Sequence, residues 1–163
     1  MERKIIYENF EEYNSLPVSP REVQRFIDEN IKHSKKSSPP VQSILTTLKK
    51  GKGNCIESAV LAARALEEKF GSELLFLSTD KNVDHAVYLF KEKNLFGAVG
   101  NSRSPNLKWR EPIYKDLPSL VKSFERPLLE FDYKLISASV VDLDYLFLFN
   151  WKNSSADYLH CVF

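Results

Sequence analysis

Apolar residues recur at helical spacing through the first half of the chain and gather into short runs in the second. Ser19 with Glu22 three residues on, and Pro20 between them, gives a capping box and a first helical residue. Val23, Phe26, Ile27 and Ile31 then form one apolar stripe and predict a helix. Residues 41–49 carry Ile44, Leu45 and Leu48 and predict a second, short helix ended by Gly51. The clearest pattern follows Gly53 and predicts a helix over 54–70. Asn54 is its cap, Glu57 follows three residues later, Gly71 stops it, and Ile56, Ala59, Val60, Ala63 and Leu66 share a face. Alanines at 59, 62, 63 and 65 make this helix small-sided, suited to burial against a sheet.

Strands are predicted next. Residues 74–77 form a short apolar run, and 85–90 (HAVYLF) and 95–99 (LFGAV) flank KEKN as a hairpin. Residues 133–141 predict a later strand, 117–124 a helix with Pro118 in its first turn, and 158–163 one more short strand or a helix end. The polar stretch 33–40 (HSKKSSPP) reads as a loop between helices. Helices followed by a largely antiparallel sheet with a helix interposed make an α+β arrangement.

Composition narrows the classes. A chain of 163 residues, 43% hydrophobic and 12% aromatic, fits one domain over 1–163 with a sizeable core. Its 23 basic and 22 acidic side chains leave a net charge of +1, so charge gives no reason to expect nucleic acid or a membrane as partner. The cysteines, Cys55 and Cys161, form neither a CxxC pair nor a disulfide framework, and His33, His85 and His160 are not spaced around them as zinc ligands. The opening MERKIIYENFEEY lacks an apolar signal core, and no apolar run nears the roughly 20 residues that span a bilayer. The cytoplasm is the expected location.

Candidate chemistry centres on Cys55, in the first turn of the 54–70 helix. Unpaired N–H groups and the helix macrodipole there favour thiolate over thiol, and the same N–H groups can hold an oxyanion. A buried packing cysteine is the alternative reading. His85 starts a strand that can approach the helix, and an imidazole there would serve as base and then acid; a solvent-facing histidine is the alternative. If the hairpin loop is Glu92, Lys93 and Asn94, residue 91 faces 95 and Asn101 lies opposite His85, where its carboxamide can orient the ring. A register one residue longer puts Ser102 there, as the fallback. Asn101 also reads as a strand-end turn former after Gly100. Asn54 and Glu57 read as helix caps. Trp109, Arg110 and Glu111 read as an ion pair with core packing, or as walls of a cleft. His33 reads as solvated, and His160 and Cys161 as a poor pair.

GKGNCIESAVLAARALEEKFG, then DHAVYLF, then NLFGAVGNS resembles the Cys–His–Asp order of transglutaminase-like proteins, a superfamily related to papain-like enzymes. SPREVQRFIDENIKHS is similar to that family's leading helix. KWREPIYKDLPSL and ISASVVDL resemble a bacterial group of uncharacterised small transglutaminase-like proteins, so the likeness covers roughly residues 19–143. It implies a central helix bearing the nucleophile Cys55, packed on an antiparallel sheet bearing the base His85. Asn101 stands where the family usually has Asp, and papain-like relatives use Asn in that role. The implied activity is acyl transfer: hydrolysis of a peptide or small amide, or transfer of its acyl group to an amine, without metal or organic cofactor. Some members of the superfamily serve instead as non-catalytic binding or scaffolding domains.

Overall fold

The computed structural model describes residues 15–35, 41–146 and 151–152. The expected tail element at 158–163, with His160 and Cys161, and residues 36–40 of the expected loop lie outside the described residues. Helix α1 (Pro20–Asn30) starts as its cap predicts, with the Glu22 N–H donating to Ser19 Oγ at 3.4 Å. It leads into a two-residue strand β1 (Lys32–His33). Helix α2 (Ile44–Lys50) closes on Gly51, whose left-handed φ of 60° suits a glycine. Strand β2 (Lys52–Gly53) pairs with β1 in parallel, Lys32 with Lys52 and His33 with Gly53. That pairing joins distant segments and has no local signature, and it sits where a loop was expected to begin.

Helix α3 (Cys55–Phe70) is pinned at its head by a full capping box. The Glu57 N–H donates to Asn54 Oδ1 and the Asn54 N–H to Glu57 Oε2, both at 2.8 Å. Gln42 donates twice more to the Glu57 carboxylate, from backbone N–H and side-chain Nε2, at 3.0 Å each. These bonds satisfy a carboxylate that is almost wholly buried.

The sheet is five-stranded and antiparallel, in the order β6-β5-β4-β3-β7. Its strands are β3 (Glu73–Thr79), β4 (Asp84–Glu92), β5 (Leu95–Val99), β6 (Arg110–Tyr114) and β7 (Leu135–Asp142). A 3-10 turn at Pro105–Leu107 and helices α4 (Leu117–Lys122) and α5 (Glu125–Leu129) connect β5, β6 and β7, and α6 (Leu143–Leu146) follows. The helix expected over 117–124 stands as α4, whereas strand β6 and helix α5 have no counterpart among the predicted elements. Arg110 explains part of that segment. Its guanidinium donates to Ser123 Oγ (2.8 Å), Ser123 O (3.1 Å) and Asn106 O (2.9 Å), and lies 3.9 Å from the Phe124 ring centre.

Helices cover both faces of the sheet. On one side α1, α2 and α3 enclose Leu74, Tyr88, Phe90 and Val99. On the other, Leu120, Phe124 and Leu128 cover Leu75, Leu77, Val87, Leu89 and Ala98. All six residues 85–90 are buried, so β4 reads as a continuous apolar run without alternation. Parity within it is strict: Tyr88 and Phe90 lie under α3, Val87 and Leu89 on the far side. The β4–β5 hairpin turns on Lys93 and Asn94 alone, with φ of 51° and 63°, as a two-residue turn with both central residues left-handed requires. Trp109 stacks on Phe90 at 5.7 Å between ring centres, and Arg21 pairs with Glu111 while lying 5.3 Å from the Trp109 ring. Among the described residues no helix is long and apolar enough to cross a membrane.

Gly97 pairs with Phe90 and gives its ring room: a Cβ on Gly97 would sit 2.5 Å from Phe90 Cζ and 2.9 Å from the Arg110 carbonyl oxygen. Gly97→Ala is therefore expected to cost about 1–3 kcal/mol by overpacking. Combining it with Phe90→Leu should cost less than the sum of the single changes, measured as non-additivity of urea midpoints. Strict additivity would show that Phe90 does not confine Gly97.

Candidate functional site around Cys55 and His85

Cys55 is the first residue of α3, and its sulfur lies 4.0 Å from the Asp84 carbonyl oxygen on β4. Strand β5 leaves its ladder with β4 at the Tyr88–Val99 pair, so residues 84–87 have no β5 partner. Cys55 approaches the edge of β4 that β5 leaves open there. Its thiol can donate to Asp84 O, and the N–H of Ala86 points back at the sulfur. The N–H groups of Ile56 and Cys55 itself face the same atom. These donors favour thiolate, but burial outweighs them, and the nearby Glu57 carboxylate adds to it. The Cys55 pKa is accordingly raised above its ordinary value, opposite to the lowering expected from its position at a helix start.

His85 pairs with Leu77, and both side chains leave the sheet on the α4–α5 side, away from α3. The imidazole ring lies 6.1 Å from the Phe124 ring. Its Nε2 is 2.6 Å from the Leu107 carbonyl oxygen, an acceptor only, so Nε2 carries the proton. Burial depresses the His85 pKa to about 4 against a counter-pull from that carbonyl, with His33 and Arg110 adding to the depression. The ring is thus neutral at pH 7, on the opposite side of the sheet from the helix that bears Cys55.

The hairpin register corrects the expected orienter. Glu92 pairs with Leu95 and Lys91 with Phe96, so the turn holds two residues where three were expected. The physical reason is that Asn94 and its neighbour Lys93 both take the left-handed conformation, which frees Glu92 for the ladder. A one-residue slip moves side chains to the other face. Asn101 accordingly does not meet His85. Its Nδ2 donates to Ile31 O and to Ser58 Oγ, both at 3.1 Å, and fastens the end of α1 to α3. The fallback residue, Ser102, accepts from the Ser104 N–H at 3.2 Å within its own loop.

His33, expected to be solvated, is half-buried in β1, and its Nδ1 is buried with no hydrogen-bond partner among the described residues. Burial, then Arg103 and Lys108, lowers its pKa. The sequence signal that could have found it is the return of the chain at Lys52–Gly53, which is legible only once the two short strands are paired. Gln24, on α1, is a second such residue. Its Nε2 donates to Gly100 O (2.9 Å) and its Oε1 accepts from the Gly100 N–H (3.0 Å), so it holds the end of β5 as a strand would. Among the described residues no cluster of three or more His, Cys, Asp or Glu side chains could hold a metal ion.

Two consequences are measurable. Asn101→Ala should destabilise the fold by about 1–3 kcal/mol, because it strips two buried acceptors of their donor. Asn101→Asp should cost more, since a carboxylate oxygen would face the Ile31 carbonyl. Wild-type stability from chemical denaturation would check both. His85 is neutral when folded and protonates more readily when unfolded, so its contribution is present above the ordinary pKa of 6.5 and is lost as pH falls towards 4. The loss should total roughly 3 kcal/mol. His85→Gln, which keeps a donor for Leu107 O without the titration, should flatten most of that slope and leave the smaller part due to His33. An unchanged slope would contradict the buried neutral ring.

No protein-family model matches the chain, and no curated protein sequence matches it.

Proposed function

We propose that the chain is a non-catalytic binding or scaffolding domain on a transglutaminase-like fold. The element order supports that fold: a cysteine-headed helix, then, after β3, an antiparallel hairpin that runs from Asp84 to Val99, with His85 near its start and Asn101 just past its end. The observation that carries the reading is the direction of His85. A cysteine nucleophile needs an imidazole nitrogen within hydrogen-bond reach of its sulfur. Here the ring is held on the far side of the sheet by Leu107 O, and the Cys55 thiol meets the Asp84 carbonyl oxygen instead. Cys55 in this reading closes the edge of β4 that β5 leaves open at residues 84–87, and Asn101 is a fastener.

A cysteine-dependent acyl transferase or amide hydrolase acting on a peptide or small amide is the second reading. The convergence of the Ala86, Ile56 and Cys55 N–H groups on the sulfur favours it, because such donors would also hold an oxyanion. In it His85 would be the base and Asn101 or Ser102 its orienter.

Alkylation separates the two. The rate at Cys55 is followed by mass spectrometry against pH, with Cys161 as the second thiol. As a half-buried thiol with a raised pKa, Cys55 should react slowly at neutral pH, with the rate climbing about tenfold per pH unit past 8.5. His85→Ala should leave the neutral-pH rate within about twofold, provided the variant's circular dichroism matches the wild type. Rapid alkylation at pH 6–7 that His85→Ala slows would overturn the binding-domain reading in favour of the acyl transferase.

A further inference from the structure

The two edges of the sheet are built differently. Strand β6, at one end, carries Arg110, Glu111 and Pro112, and both charge and proline discourage a further strand from adding there. Strand β7, at the other end, has neither safeguard over residues 136–141 (ISASVV), which hold no charge, no proline and no glycine. Residues 136–140 are all exposed although they alternate between two faces, so neither helical layer covers this strand. Ile136 is 62% exposed and Val140 39%. A neutral, β-branched strand that no described residue covers on either face or pairs on its outer edge is a template for another strand.

Its sequence identifies the strand that fits. From Lys134 to Asp142 the chain reads KLISASVVD, symmetric in chemical character about Ala138. Antiparallel pairing with a second copy across a two-fold axis at Ala138 opposes Ser137 to Ser139, Ile136 to Val140, Leu135 to Val141 and Lys134 to Asp142. Each pair occurs twice, as a two-fold interface requires. Polar then meets polar, apolar meets apolar, and charges of opposite sign close both ends. A parallel pairing in register would oppose lysine to lysine and aspartate to aspartate. A slip of one residue would set Ser against Ala and Lys134 against a valine. The one irregularity is a bulge: Ser78 pairs with Ser137 and Thr79 with Leu135, leaving Ile136 without a partner on β3. The bulge bends the strand before Ser137, so the regular ladder spans Ser137–Ser139 of each copy, and the long Lys134 side chain bridges the bend. Asp142 is already oriented, with its Oδ1 accepting from Ser72 Oγ (2.7 Å) and from the Asp144 N–H (2.9 Å).

We infer that two copies of this chain associate through β7, antiparallel about Ala138, to form one continuous ten-stranded sheet. The occupant of the edge is a second copy because the strand complements itself in shape and charge. This inference is independent of the chemistry at Cys55.

Sedimentation of the full chain over roughly 1–300 µM should show a reversible dimer, a range suited to a short ladder. Ala138→Lys places two lysines face to face on the axis and should weaken association at least tenfold. Ala138 is exposed, so the monomer's circular dichroism and melting should stay as in wild type. Ala138→Cys should yield a disulfide-linked dimer under mild oxidation, because directly opposed antiparallel residues stand about 4.5–5.5 Å apart at Cα, within disulfide reach. Ser137→Cys, which faces Ser139 of the other copy, and Ile113→Cys on the β6 edge should link far more slowly. A chain monomeric throughout the range overturns the inference, and so does a dimer indifferent to Ala138→Lys or one that links equally at all three cysteines. Should the chain be monomeric while the amides of residues 137–141 resist hydrogen exchange, another part of the same chain covers β7, and the inference fails in that way.

Discussion

The alanine-rich side of α3 leaves space beneath it for two large rings, and Tyr88 and Phe90 fill that space in one cluster with Ala59, Ala62 and Ala63. Tyr88 is further held by its hydroxyl, which donates to Gly71 O at 2.6 Å just past the helix end. Gly97, opposite Phe90, removes the side chain that would collide with it. With the two rings committed to the helix side, period-2 alternation sends Val87, Leu89 and His85 to the other side. Most of what distinguishes this site from a Cys–His pair follows from that parity. An imidazole sent the other way would have met the head of α3; as built, it meets Phe124 and Leu107 O.

Residue types associated with catalysis are used at this end of the molecule as fasteners. Strand β5 stops at Val99 and α1 stops at Asn30, which leaves backbone groups in a region with few ladders to absorb them. Gln24 takes the amide and carbonyl of Gly100, and Asn101 takes the carbonyl of Ile31. Glu57 gathers the N–H of Asn54 and two donors of Gln42, and Cys55 stands beside the backbone of residues 84–86. Each group is buried or half-buried and bonded to main chain, where an unmade bond costs more than a made one contributes.

Electrostatics agrees with this division. The Cys55 sulfur lies among N–H groups that would favour its anion, yet burial and Glu57 prevail. His85 has lost its readiness to take a proton for the same reason, burial, with His33 and Arg110 adding to it. A reactive ion pair would require each group to repay the other's desolvation at close range. On opposite sides of a sheet they cannot do so, and both settle in their neutral forms.

Much of the fold was legible in the sequence because its signals are local. Caps at Ser19 and Asn54, the glycines at 51 and 71, the 3.6-residue stripes and the apolar runs around KEKN each report on a few neighbouring residues, and the helices and inner strands stand where those patterns put them. The α+β arrangement with Cys55 heading the central helix was readable for the same reason. The site was not. Six consecutive buried residues at 85–90 contain no alternation from which to tell the two faces apart, and only the rings packed under α3 decide it. The two-residue turn that displaced Asn101 depended on Lys93 adopting a left-handed conformation that its residue type does not announce. Pairing of Lys32–His33 with Lys52–Gly53 joins segments 20 residues apart, and β6 owes its place to the strand beside it. Which segments are helix and which are strand follows from neighbouring side chains, because local backbone preference and periodicity are written there. Which side of the sheet each candidate residue faces is set by packing between distant segments, because it depends on which large side chains the helix above can accommodate.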